Sequence, residues 1–183
     1  LEEPARAVAD WAENLYSNWF LADANACWAA AAQGEWADCG YIDGPARQDE
    51  FYWHVLPAFV GSAKTTVVIV SDALRYEVAR DVAALLERER GGNVKVSSMQ
   101  AVFPSITEVG MPALLPHQVL ELAEDGAFVL ADGMPTATTP QREAVLTHVE
   151  PTARALRSSA YLNMAGTERK ALLKDSRLVY LYH

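Results

Sequence analysis

Apolar residues recur at Val8, Trp11, Leu15, Trp19 and Phe20, close to a period of 3.6, and no glycine interrupts them before Gly34. That spacing predicts a helix over residues 4–33. Gly34, Gly40, Gly44 and Pro45 then mark an irregular stretch. All five tryptophans (Trp11, Trp19, Trp28, Trp36 and Trp53) precede the first strong strand signal. A stripe of this kind is expected to pack as core, an interface being the alternative.

A short apolar segment over 51–59 ends at Gly61-Ser62, and the pattern then changes sharply. Thr65-Thr66-Val67-Val68-Ile69-Val70 is β-branched throughout, and its last four residues are apolar on both faces. Such a run fits a strand buried on both sides, as in a parallel sheet. A helix is predicted over 75–90, stopped by Gly91-Gly92, followed by an alternating strand over 94–99. Strand, helix and strand in this order make a βαβ unit.

Beyond Pro104 a short helix is expected from Thr107 toward Leu115, irregular because Pro112 falls inside it. Helix or loop follows to Asp125, then a short buried strand over 127–130 and a loop over 132–140. Residues 142–149, 152–162 and 167–173 read as helices. Leu178-Val179-Tyr180-Leu181-Tyr182 reads as a last strand, closed by His183. The expected class is therefore α/β: a mostly parallel sheet flanked by helices, with a helical extension over 1–50 and an α/β domain over 51–183.

Composition narrows the function. Fifteen Lys and Arg stand against 24 Asp and Glu, a net charge of −9, in a chain of 183 residues. Direct nucleic-acid binding is disfavoured, because phosphate recognition needs a surplus of cations. Cys27 and Cys39 lack the paired spacing of a zinc ribbon and read as reduced structural thiols of a cytoplasmic protein. No apolar run approaches the ~20 residues that cross a bilayer. The first βα turn, Ser71-Asp72-Ala73-Leu74-Arg75, carries no glycine and no Gly-Lys-Ser/Thr, so the usual nucleotide phosphate loop is missing.

Ligands of open parallel sheets bind beyond the carboxyl ends of the strands. Asp72 follows the first strand, Ser105-Ile106-Thr107 follows the second, and His183 ends the last. Each has a plainer reading: Asp72 with Ser71 as a helix cap, Thr107 as another cap aided by Glu108, and His183 as a chain boundary. Taken together they suggest more. Carboxylate and imidazole suit a divalent ion such as zinc. A threonine hydroxyl becomes a useful nucleophile when a metal or base lowers its pKa. A helix start would add N–H donors for an anionic group. These parts suit phosphoester hydrolysis through a phosphothreonine.

The same residues carry a resemblance. Val67-Val68-Ile69-Val70-Ser71-Asp72-Ala73-Leu74-Arg75-Tyr76-Glu77 resembles the opening motif of the PglZ family. Pro104-Ser105-Ile106-Thr107, with Gly110-Met111-Pro112-Ala113-Leu114-Leu115-Pro116-His117, resembles its second motif, and Leu178 to His183 the start of a third. PglZ domains belong to the alkaline-phosphatase superfamily and occur in BREX-type bacteriophage-defence proteins and some response regulators. The resemblance implies a metal-dependent phosphatase or phosphodiesterase fold, usually with zinc, acting beside other defence proteins on a phosphoester substrate. It makes Asp72 a metal ligand, Thr107 a nucleophile that also touches metal, and His183 a further ligand. Arg75 becomes a phosphate contact and Glu77 its supporting neighbour, with surface roles as the alternative. Ser105 is a second candidate nucleophile or substrate contact. His117 reads as structural, while His54 and His148 lie outside the motifs. The family pattern continues past His183 with further ligand-bearing segments, so this chain alone is expected to hold part of a two-metal centre and to be inactive by itself. A catalytically silent scaffold mediating protein contacts in a defence complex is the alternative.

Overall fold

A computed structural model of the chain describes residues 2–60, 64–90, 93–124 and 126–183. Gly61-Ser62, the Gly91-Gly92 helix stop and Asp125 lie outside the described residues. The chain divides into two compact units, 1–44 and 45–183.

The first unit is helical: α1 (Glu2–Leu15), a π-helical stretch (Tyr16–Leu21) and α2 (Ala22–Cys39). The predicted helix therefore exists and runs several residues past Gln33. Its tryptophan stripe is not core: Trp11 and Trp19 are about two-thirds exposed (66% and 64%), and Trp28 is also exposed. A helix run of this kind has one apolar stripe and no second layer of its own unit to cover it. The Trp36 and Cys39 side chains lie outside the described residues. Cys27 is a free, exposed thiol, so the expected structural burial does not hold for it.

The second unit opens with three helical turns, Gln48–Glu50, Phe51–Val55 and Leu56–Ala58. Next come β1 (Thr66–Val70), α3 (Tyr76–Arg90), α4 (Thr107–Ala113), β2 (Leu120–Leu122), β3 (Val129–Ala131) and β4 (Met134–Pro135). It ends with α5 (Thr139–Val149), β5 (Arg154–Arg157), α6 (Ser158–Asn163), α7 (Gly166–Asp175) and β6 (Leu178–Tyr182).

A parallel sheet in the order β1-β6-β5 forms its centre, beside a small antiparallel sheet β2-β3-β4. All five β6 residues are buried, which is what a central strand with two apolar faces requires. Leu178, Tyr180 and Tyr182 pack on one face with Tyr52, Leu56, Leu115, Val145 and Leu146.

Three expectations change. Residues 94–99 form no strand; just beyond them lies an isolated bridge between Arg47 and Gln100. The β1 partner is β6 instead, whose unbroken apolar run buries more surface than an alternating segment with Val96 and Met99 exposed. β1 is consequently an edge strand among the described residues, and Val67 and Ile69 on one face are exposed rather than buried. Finally, 152–162 is not one helix: Arg154–Arg157 pairs in parallel with β6 before α6 begins. The loop over 132–140 also holds structure. Asp132 and Gly133 both take left-handed φ (49° and 80°), turning β3 into β4 as an Asp-Gly hairpin does. Thr138 then caps α5 reciprocally with Gln141.

Burial pushes the Tyr180 phenol well above its ordinary range, with Tyr182 and Tyr52 adding to the effect. Burial also lifts Tyr182 to about 12, against the opposing charge of Arg142. Folded protein thus holds both phenolic protons more tightly than unfolded chain. Their stabilisation is complete below the ordinary tyrosine pKa near 10 and is lost as pH rises toward 12. Unfolding free energy from denaturant titrations across that window should fall by on the order of 2 kcal/mol for Tyr182 alone.

Candidate active site

The site is built at the carboxyl end of β1. The β1–β6 ladder continues one step beyond its strands: the His183 N–H donates to the Val70 carbonyl (2.9 Å) and the Asp72 N–H to the His183 carbonyl (3.4 Å). Ser71 and Asp72 are thereby held beside the end of β6. Ala73 follows with φ 55°, a left-handed turn that sends the chain away from the sheet toward α3. One Asp72 oxygen, Oδ1, accepts from the Ala73 N–H at 3.0 Å. The other, Oδ2, accepts from the Thr107 hydroxyl at 2.9 Å. Thirty-five residues apart in sequence, these two side chains are in direct contact.

The capping readings fail for both. α3 starts at Tyr76, four residues beyond Asp72, and the residue before α4 is Ile106, with no side-chain cap. Thr107 is instead the first residue of α4, its hydroxyl turned to Asp72. Glu108 does lie in the first helical turn.

An open cleft of about 790 Å³ surrounds the pair, lined also by Ser71, Ser105, Glu108 and Gln48. Ser105 therefore shares the cleft with Thr107. His183 stands at its margin, its ring Nδ1 3.3 Å from the Ser71 hydroxyl. Arg75 and Glu77 are not brought to the cleft: they pair with each other at 3.7 Å, both largely exposed. His117 is buried, with Nδ1 2.7 Å from the Leu115 carbonyl, as expected of a structural histidine. Exposed His54 lies near Glu50, away from this end of the sheet.

Gln48, outside the sequence reading, and Tyr180 of the last strand set the position of α4. The Gln48 amide donates to the Gly110 carbonyl at 2.9 Å and accepts from the Val102 N–H at 3.1 Å, tying α4 to the segment before it. A Cβ at Gly110 would stand 3.3 Å from that amide nitrogen, so glycine lets the two approach. At the other end of α4 the Tyr180 hydroxyl donates to the Leu114 carbonyl at 2.9 Å. An isolated glutamine before the first motif leaves no periodic signal by which to find it. Gln48→Ala should raise amide exchange across 107–113 and cost about 1–2 kcal/mol in a denaturant titration, through the two lost hydrogen bonds.

Among the described residues no three His, Cys, Asp or Glu side chains gather as a metal cluster. The Asp72 carboxylate and Thr107 hydroxyl nonetheless fit as two adjoining oxygen donors, fewer than the four of a tetrahedral zinc site.

Comparison with known families matches residues 51–183 to the BREX system PglZ alkaline phosphatase-like domain. The chain belongs to the PglZ family. It is 35% identical over 182 residues to the alkaline phosphatase-like protein BrxZ of Escherichia coli O9:H4 (strain HS), covering 97% of this chain and 21% of that protein. It is 31% identical over 178 residues to the alkaline phosphatase-like protein PglZ of Bacillus cereus (strain H3081.97), with the same two coverages. The PglZ chain thus spans about a fifth of the length of these relatives. No solved structure matches it. Its α/β fold with a parallel sheet is that of a partial alkaline-phosphatase-like domain, and none of its described helices is long and apolar enough to cross a membrane.

Proposed function

We propose that this PglZ chain supplies the nucleophile and part of the metal-binding set of a phosphoester hydrolase of BREX-type phage defence. The supporting observation is the 2.9 Å hydrogen bond from the Thr107 hydroxyl to Asp72 Oδ2 at the carboxyl end of a parallel strand. Thr107 Oγ1 attacks phosphorus; the Oγ1–P bond forms as the bond to the leaving oxygen breaks, giving a phosphothreonine that water then hydrolyses. Asp72 Oδ2 orients the hydroxyl and accepts its proton as the Oγ1–P bond forms, and the leaving oxygen takes a proton from solvent. The Thr107 and Glu108 N–H groups are the donors that the start of α4 offers the transferred group, those of Val109 and Gly110 being bonded to the Ile106 carbonyl. Ser105, in the same cleft, contacts the substrate.

A divalent ion, zinc being the first choice, supplies the acidity that a threonine hydroxyl lacks at neutral pH. Asp72 and Thr107 would hold it, and His183 would add an imidazole from the neighbouring strand end. Further ligands would have to come from outside these residues, which span about a fifth of the length of the curated relatives.

A second reading is favoured by the exposed aromatics of the first unit: a silent scaffold whose Trp11, Trp19 and Trp28 contact other defence proteins. Metal analysis of the natural full-length protein, with hydrolysis of aryl phosphomonoesters and diesters by wild type and Thr107→Ala, decides between them. Metal-loaded protein without turnover on either ester class supports the scaffold.

A further inference from the structure

A second cleft, of about 670 Å³, opens at the carboxyl ends of β5 and β6. It meets the first at Met111 and His183: Met111 lines both, and His183 lines the second while its ring reaches Ser71 in the first. The charge of its walls is unlike that of the chain. Arg142 and Arg157 line it, and none of its described lining residues is Asp or Glu, in a protein of net charge −9. The first cleft, by contrast, holds Asp72 and Glu108.

The two arginines differ in their freedom. Arg142 is fixed: its Nε donates to the Thr136 carbonyl at 2.8 Å, and its guanidinium lies 4.8 Å over the Tyr182 ring. Arg157, at the end of β5, is exposed and has no ion-pair partner among the described residues. Tyr182 also lines the cleft; it is only 7% exposed, and its hydroxyl has no hydrogen-bond partner among the described residues. A buried hydroxyl left so is uncommon in a folded protein and marks a place where a polar group is wanted. The start of the eleven-residue α5, through Thr138 and Thr139, completes the wall.

We propose that this cleft is an oxyanion subsite, taking a phosphoryl group of the substrate other than the one transferred at Thr107. Arg157 is the cation that meets it, Arg142 supplies fixed positive charge from behind, and Ser159 and Asn163 add neutral hydrogen-bonding groups at the rim. The assignment rests on the hydrolase reading for its role, though not for the binding itself. It implies a substrate carrying two separated phosphoryl groups, one reaching Thr107 and one seated at Arg157.

Binding is tested first without turnover. Full-length protein in excess EDTA is titrated calorimetrically with inorganic pyrophosphate. Wild type should bind, Arg157→Gln should bind at least tenfold more weakly, and Arg157→Lys should fall between them, because lysine keeps the charge and loses the planar fork. Equal affinity in wild type and Arg157→Gln, or no binding to wild type, overturns the subsite. Kinetics then read its role. In Arg157→Gln the KM for an aryl phosphate bearing a second phosphoryl group should rise about tenfold with kcat little changed, while the KM for the plain aryl phosphate stays put. Equal KM changes for both esters overturn the subsite. Absence of turnover in wild type sinks the hydrolase reading and leaves the pyrophosphate titration to decide the subsite alone.

Discussion

Thr107→Ala should reduce phosphoester hydrolysis by the full-length protein at least a thousandfold, while leaving its fold largely in place. Removing a nucleophile eliminates the covalent route, and what survives is the catalysis that remaining charges and hydrogen bonds give to direct attack by water. Thr107 is exposed and its hydroxyl donates to Asp72, so the alanine variant leaves no buried group stranded. Melting temperature should shift little. Thr107→Ser keeps the hydroxyl and should retain a measurable fraction of activity. A trapped phosphoenzyme, detected by mass at Thr107 after brief exposure to substrate, would establish the covalent step. Label at Ser105 with Thr107→Ala still active would move the nucleophile two residues along the same cleft.

The second large effect concerns stability. Tyr180 is fully buried in the central strand, faces the core formed with Tyr52, Leu56 and Leu146, and donates to the Leu114 carbonyl at the end of α4. Tyr180→Ala should destabilise the domain by about 3–5 kcal/mol, the usual cost of emptying an aromatic site in a core. Against a total of about 5–15 kcal/mol for a typical domain, that is enough to leave much of the protein unfolded. Tyr180→Phe keeps the packing and leaves the carbonyl short of a donor, a cost of about 1–3 kcal/mol. Urea titrations of the two variants separate the contributions. If phenylalanine costs as much as alanine, the hydrogen bond rather than the ring is what holds α4 to the sheet.

Much of the architecture could be read directly where a short segment carried an unambiguous pattern. Leu178-Val179-Tyr180-Leu181-Tyr182 has no polar residue, and a strand buried on both faces is the natural home for it. Asp72 was legible because it follows an apolar strand at a position where sheet proteins place ligands, and Thr107 because of the motif around it, since the strand expected before it does not form. What failed had long-range causes. Arg154-Ala155-Leu156-Arg157 has no strand character of its own; it becomes a strand because β6 offers it a parallel edge. Val94 to Met99 has good alternation, yet it leaves the outer edge of β1 unused while β6 pairs on the other side, and nothing in its pattern foretells that. The Asp132-Gly133 hairpin is different, for its dipeptide was in view between two apolar stretches and is among the stronger local turn signals. Gln48 could not have been found by pattern, because its value lies in two contacts more than fifty residues away. The tryptophan stripe showed the right periodicity and gave no means of telling a covered face from an open one.

The edge position of β1 has a practical consequence. Among the described residues its outer side pairs with no strand, and Val67 and Ile69 beside it are exposed, which makes a template on which another extended peptide can grow. Handled by itself in concentrated solution, this stretch of polypeptide therefore carries a built-in tendency to stack copy upon copy. Screening by salt offers little relief, because the attraction resides in backbone dipoles and aliphatic surface rather than in charge.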